Sequence, residues 1–311
     1  MSLITATIVS LMAVGMGQEA QNAQAASIPA SEVDEVVVVG TRQGEAAQRF
    51  VDEVSAPIDG RKLATWQGAV CVGASGLEAD ISQALADRVS DWAYSLGVRI
   101  HKPGCRPNIF VLVTDDAKMA AEEMVSARPR NFVTGAASSD RGPRALDAFR
   151  DSDRLIRWWQ VSLPVNPDTG YAAVRVPGVP PPSFGEIRGP SDLGSWGINT
   201  FASRLIDETR DDLSSVTIIV DIRAFERGTF TQVADYISMV ALAQIDPEAA
   251  PPTSSILNLF SDASDAPPSM SAWDQGYLRS LYESEQQSAS PRANAAQVAD
   301  RLAREVDGND P

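Results

Sequence analysis

Histidine and cysteine are nearly missing from this 311-residue chain, which has one His, at 101, and two Cys, at 71 and 105. Zinc and iron–sulfur sites draw several ligands from these two residue types, so most such chemistry is excluded before any motif is sought. Positive charge is also short: 26 Lys+Arg against 41 Asp+Glu leave a net charge of −15 and a pI near 4.5. Phosphate-rich partners need a basic surface, so nucleic acid is not an expected partner, and neither is an anionic membrane. Three nucleotide and hydrolase signatures are absent too. There is no P-loop lysine motif; Gly73-Ala74-Ser75-Gly76 lacks the G-x-S-x-G spacing, and Gly189, Gly194 and Gly197 do not form G-x-G-x-x-G. With 44% hydrophobic and 22% charged residues, the chain is not a disordered tail, a collagen or a coiled-coil rod.

What is present begins with Ser2–Gly17 (SLITATIVSLMAVGMG), an uncharged apolar run followed by Ala23-Gln24-Ala25 and then Ala26. This pattern predicts a secretory signal peptide over residues 1–25, cleaved before Ala26. No basic residue precedes the run, which points to a start upstream of Met1. The run is shorter than the roughly 20 residues that span a bilayer, no later stretch reaches that length, and no Cys follows to mark a lipoprotein. Cleavage removes one charged group, Glu19, so −15 becomes −14. The expected location is the periplasm or the medium of a Gram-negative cell. An even pair of cysteines in an oxidising compartment predicts a Cys71–Cys105 disulfide. The alternative, a catalytic thiol paired with His101, puts both groups and the other Cys on one short loop and is the weaker reading.

The chain is expected to be α+β, with a single mixed-sheet domain and packed helices over 66–285. A flexible segment, 26–65, precedes it and carries a short strand at Val36-Val37-Val38-Val39; a C-terminal helix and tail, 286–311, follow. Ile81, Leu85, Val89, Trp92 and Leu96 share one helical face, and Ser75 with Glu78 fits a capping box ahead of them. Ile109–Val113 and Val216–Ile222 read as buried strands. A helix runs from Asp116 to Ala127, and a largely buried one from Thr229 to Gln244. Ile156–Leu163 and Ala172–Val176 flank the turn Asn166-Pro167-Asp168-Thr169-Gly170 and read as a hairpin. Residues 177–197, rich in Pro and Gly, read as a long surface loop. Ser271 and Ser290-Pro291 open the last two helices, the second of them surface-docked or loosely attached.

Two stretches carry a resemblance. One runs from Val70-Cys71 through Gly104-Cys105-Arg106-Pro107-Asn108 to Asp115. The other runs from Val220-Asp221 through Gln232–Gln244 to Trp273–Tyr282. Together they resemble a group of exported proteins from sphingomonad-like alphaproteobacteria, and the second is distantly similar to zincin-like peptidases. The zincin resemblance would place Asp235 and Tyr236 where that family has its first His and its Glu, and Val240 near a downstream ligand. Valine cannot ligate, so the implication is a zincin-like chain without a metal site, and no metal or cofactor is expected. Asp34–Gln43 resembles the segment that TonB-dependent receptors present to their energy-transducing partner. That implies an envelope protein partner adding a strand at Val36 to Val39, and the alternative is an ordinary edge or internal strand of the chain's own domain.

Carboxylate chemistry is the remaining catalytic option, with Asp115, Asp116, Asp221, Asp235 and Tyr236 as weak candidates. Against it, Asp115 or Asp116 can cap the following helix, Asp221 can pair with Arg223 or Arg227, and Asp235 can be held by a buried arginine. The expected function is a non-catalytic exported protein that binds a ligand or serves the envelope. The alternative is an acid-based hydrolase on a degenerate zincin-like fold.

Overall fold

The structure, a computed structural model, describes residues 31–132, 140–167, 170, 209–261, 266–284 and 290–307. The signal segment, the Ala172–Val176 half of the expected hairpin and the loop 177–197 lie outside them. The chain divides into residues 1–39 and 40–311.

Helix α1 spans Ser31–Val54 and contains the valine run, so the expected strand at Val36 to Val39 is corrected to helix. The reason lies downstream, where Ala47, Phe50, Val51 and Val54 recur at i, i+3, i+4 and i+7 and are all fully buried. A helix anchored there propagates at a cost of only a few tenths of a kcal/mol per β-branched residue. The later part of the expected flexible segment 26–65 is packed instead: Phe50, Val51, Leu63 and Ala64 belong to the main core.

The sheet comes next. Strand β1 (Val72–Ser75) leads to α2 (Ala79–Ser95) and β2 (Ile109–Thr114). Then follow α3 (Ala117–Ala127), a 3-10 turn (Pro129–Phe132), α4 (Pro143–Asp151) and β3 (Ile156–Val165). Strand β4 (Arg210–Asp221) closes the sheet, whose order among the described residues is β1-β2-β4-β3. β1, β2 and β4 run parallel, with Ile109 opposite Val216, and β3 is antiparallel to β4, with Ile156 opposite Val220. The partner of β3 is thus β4. The turn after β3 does form, with the Gly170 N–H donating to the Asn166 carbonyl at 2.8 Å.

Alternation along β4 sorts the two faces. Val216, Ile218 and Val220 join α1, α2 and the later helices in the main core, while Ile219 joins Trp159, Val161, Phe149 and Phe132 under α3 and α4. A mixed sheet therefore lies between two helical layers. α5 (Ala224–Arg227) and α6 (Phe230–Leu242) follow β4, and α6 is buried from Val233 to Leu242. Its N-terminus is closed by a reciprocal Thr229–Gln232 capping box. A 3-10 turn (Ile256–Phe260), α7 (Ala272–Glu283) and α8 (Pro291–Asp307) complete the fold. α8 is not loosely attached, since Val298 and Leu302 are fully buried and it packs along α7.

Ser75 ends β1 rather than capping α2; the N-cap is Glu78, with no side-chain cap bond. Gly76 turns the chain at φ +90°, where a Cβ would stand 1.8 Å from the Val113 carbonyl oxygen, so only glycine fits. Cys71 and Cys105 form the disulfide, with Cα atoms 6.1 Å apart, and join the entry of β1 to the loop before β2.

Candidate functional site

In a sheet with parallel strands, ligands collect outside the carboxyl ends of those strands. Here β2 ends at Thr114 and β4 at Asp221, and the antiparallel β3 begins at the same end. The cleft there, about 590 Å³, is lined by Asp115, Asp116, Asp153 and Asp221 and by Lys118, Arg154, Arg157 and Arg223. The structure thus brings three of the sequence candidates together and sets the other two, Asp235 and Tyr236, in the core.

Each candidate that forms a clear bond does so structurally. Asp116 is the N-cap of α3 and accepts from Met119 N at 2.8 Å. Asp221 takes a forked pair from Arg223, Nε at 2.8 Å and Nη2 at 2.7 Å, and a backbone N–H at 3.0 Å. The hydrogen bonds from Arg223 hold the Asp221 carboxyl below the usual carboxylate range. Asp115 is exposed at the mouth. Asp235 is fully buried on α6 and accepts four bonds: Arg88 Nε at 2.7 Å, Arg88 Nη2 at 2.9 Å, Trp92 Nε1 at 2.8 Å and Met270 N at 2.9 Å. Tyr236 packs its ring against Phe260, 5.2 Å between centroids, and Trp158, 6.2 Å; burial pushes its hydroxyl pKa up. His101 is exposed beside the disulfide. No group of three His, Cys, Asp or Glu among the described residues could hold a metal ion.

The low Asp221 pKa gives a pH expectation with a definite sign. A carboxylate depressed in the folded state stabilises above its unfolded value, about 3.9, and that contribution is lost as pH falls through the lower folded value. The urea midpoint difference between the wild type and Asp221→Asn should therefore be clear at pH 6 and should shrink toward pH 3. An unchanged difference at pH 3 would contradict the assignment.

A second cleft of about 290 Å³ adjoins the first and shares Arg154 and Arg157 with it. It opens along β3, between α4 and the segment 244–248. Arg141, Arg144, Ala145 and Ala148, at i, i+3, i+4 and i+7, put one face of the α4 region on its wall. Trp158, Trp159 and Gln160 of β3 line it too, and Gln160 Nε2 is tied to the Val240 and Ala243 carbonyls at 2.6 and 2.7 Å. Arg157 is 3% exposed and donates to the carbonyls of Phe149, Arg150 and Ser152 at 3.1, 2.9 and 2.5 Å. It therefore closes the end of α4, where the last carbonyls lack helical partners. Burial lowers its pKa.

These arginines were not singled out from the sequence. The signal available was one cation, Arg157, inside the apolar strand Ile156–Trp159; the others come together only through the fold. No protein family, curated protein or solved structure matches the chain.

Proposed function

We propose that this chain is an exported, non-catalytic binding protein whose ligand region is the charged end of the sheet. One observation carries the reading: three of the four candidate carboxylates are held in structural bonds, Asp116 on the α3 cap, Asp221 on Arg223 and Asp235 on Arg88, which leaves Asp115 as the remaining one, exposed at the mouth. General acid catalysis needs a carboxyl kept protonated. In this cleft the hydrogen bonds from Arg223 favour the ionised form of Asp221. The apolar run and A-x-A site before Ala26, together with the disulfide, support the export part of the reading.

Substitution at the cleft tests it. Asn caps helices as well as Asp, so Asp115→Asn/Asp116→Asn should fold normally. Against chromogenic glycosides, esters and phosphate monoesters, the wild type and this variant are expected to give the same background. Turnover that falls about a hundredfold or more in the variant, the scale of general acid–base catalysis, would establish the hydrolase instead.

A further inference from the structure

The cleft along β3 carries charge of the sign the chain lacks. Four arginines line it against two carboxylates, Asp246 and Glu248, in a protein of net charge −15. Two of the arginines are matched: Arg141 pairs with Asp246 at 3.2 Å and Arg154 with Glu248. Both pairs join the α4–β3 side of the cleft to the 244–248 side, and both are partly exposed, so each is worth little in water. The other two are unmatched by carboxylate contacts. Arg144 is exposed and has no hydrogen-bond or ion-pair partner among the described residues. Arg157 is buried, binds only carbonyls, and leaves Nε closed to solvent without an acceptor. Trp159 Nε1, on the same strand, is a second buried donor with no acceptor. Arginine and indole nitrogens donate and never accept, so what these two atoms lack is an acceptor. Apart from Gln160 and Gln244, the rest of the lining is apolar, with Phe149, Trp158 and Ile245 its largest side chains.

We infer that this cleft binds a small organic oxyanion, a carboxylate or phosphate monoester carrying a flat apolar body, with the anion among Arg141, Arg144 and Arg154. The chemistry follows from the lining. Guanidinium recognises planar oxyanions through paired N–H bonds, and indole and phenyl faces take the apolar part. A volume near 290 Å³ suits a small molecule rather than a polypeptide chain. Asp246 and Glu248 act as internal competitors, and an incoming oxyanion takes their place on Arg141 and Arg154. The inference rests on the binding-protein reading and supplies its ligand class.

Calorimetric titration of the full chain tests this with four probes: 2-naphthoate, 2-naphthyl phosphate, inorganic phosphate and the uncharged 2-naphthamide. Either naphthyl anion, or both, is expected to bind one per chain, and which one binds tells carboxylate from phosphate. The amide and inorganic phosphate should each bind at least about tenfold more weakly, because each lacks one half of the recognition. Arg144→Gln, on an exposed and unpaired side chain, should weaken the anion about tenfold without disturbing the fold. Asp246→Asn should tighten it several-fold, a gain that misfolding cannot imitate. Equal binding of amide and anion, unchanged affinity in both variants, or no binding of either naphthyl anion at millimolar concentration would each overturn the inference. Release of 2-naphthol from 2-naphthyl phosphate that stops in Asp115→Asn/Asp116→Asn would instead defeat the non-catalytic reading and leave the ligand class standing.

Discussion

Asp235→Ala is expected to destabilise the protein by about 3–5 kcal/mol, the cost of breaking a buried ion pair from one side. The carboxylate has no exposure and collects two bonds from Arg88, one from the Trp92 indole and one from the Met270 backbone. Its removal leaves the Trp92 and Met270 donors and the part-buried Arg88 guanidinium without their acceptor. These partners come from α2, α6 and the approach to α7, so one side chain ties three parts of the main core. Urea unfolding followed by circular dichroism would show the loss as a lower midpoint with a similar slope. Asp235→Asn keeps an acceptor oxygen and should fall between. A loss under about 1 kcal/mol for the alanine variant would mean that the cluster is incidental.

The Cys71→Ala/Cys105→Ala protein is expected to lose about 3–4 kcal/mol, because the bridge spans 34 residues and limits the unfolded chain. For a chain of this size that is a drop in Tm on the order of 10 °C. Dithiothreitol should lower the Tm of the wild type to nearly the same value and leave the variant unmoved. Two titratable thiols in the unfolded, unreduced wild type would show that the bridge does not form. Cys71 also anchors backbone pairing, since its N–H donates to Asn108 Oδ1 at 2.7 Å. The alanine variant keeps that bond, so the measured loss isolates the covalent link.

Much of the fold was legible in the residues because its signals are local. Thr229 and Ser271 stand three residues before Gln232 and Asp274, and both caps form; Asp116 caps α3 as its position suggested. Ile109–Val113 and Val216–Ile222 are runs too apolar to be exposed, and they became the paired strands β2 and β4. The valine run misled because β-propensity reports fit to a pleated surface rather than an intrinsic backbone preference, and the run lies within α1. Ser75 misled for a related reason: β1 continues through it and Gly76 makes the turn, so the helix starts later. At the site, the carboxylates were visible as types but not as partners. That Asp221 would meet Arg223 was weighed, whereas Arg88 reaching Asp235 across 147 residues has no sequence signature. The arginine cleft is less legible still, since its cations come from α4, the turn after it and β3, and only packing puts them on one wall.

β4 lies between β2 and β3 although it is made after both. Among the described residues, a nascent chain that stops short of residue 210 has β1 and β2 to pair but holds β3 without β4, so the described sheet stays incomplete. Completion waits for a segment that pairs Ile109 with Val216, a closure across more than a hundred residues, and long-range pairing of that kind is slow. The order of synthesis therefore leaves β2 and β3 each with an unpaired edge until the strand that joins them is made.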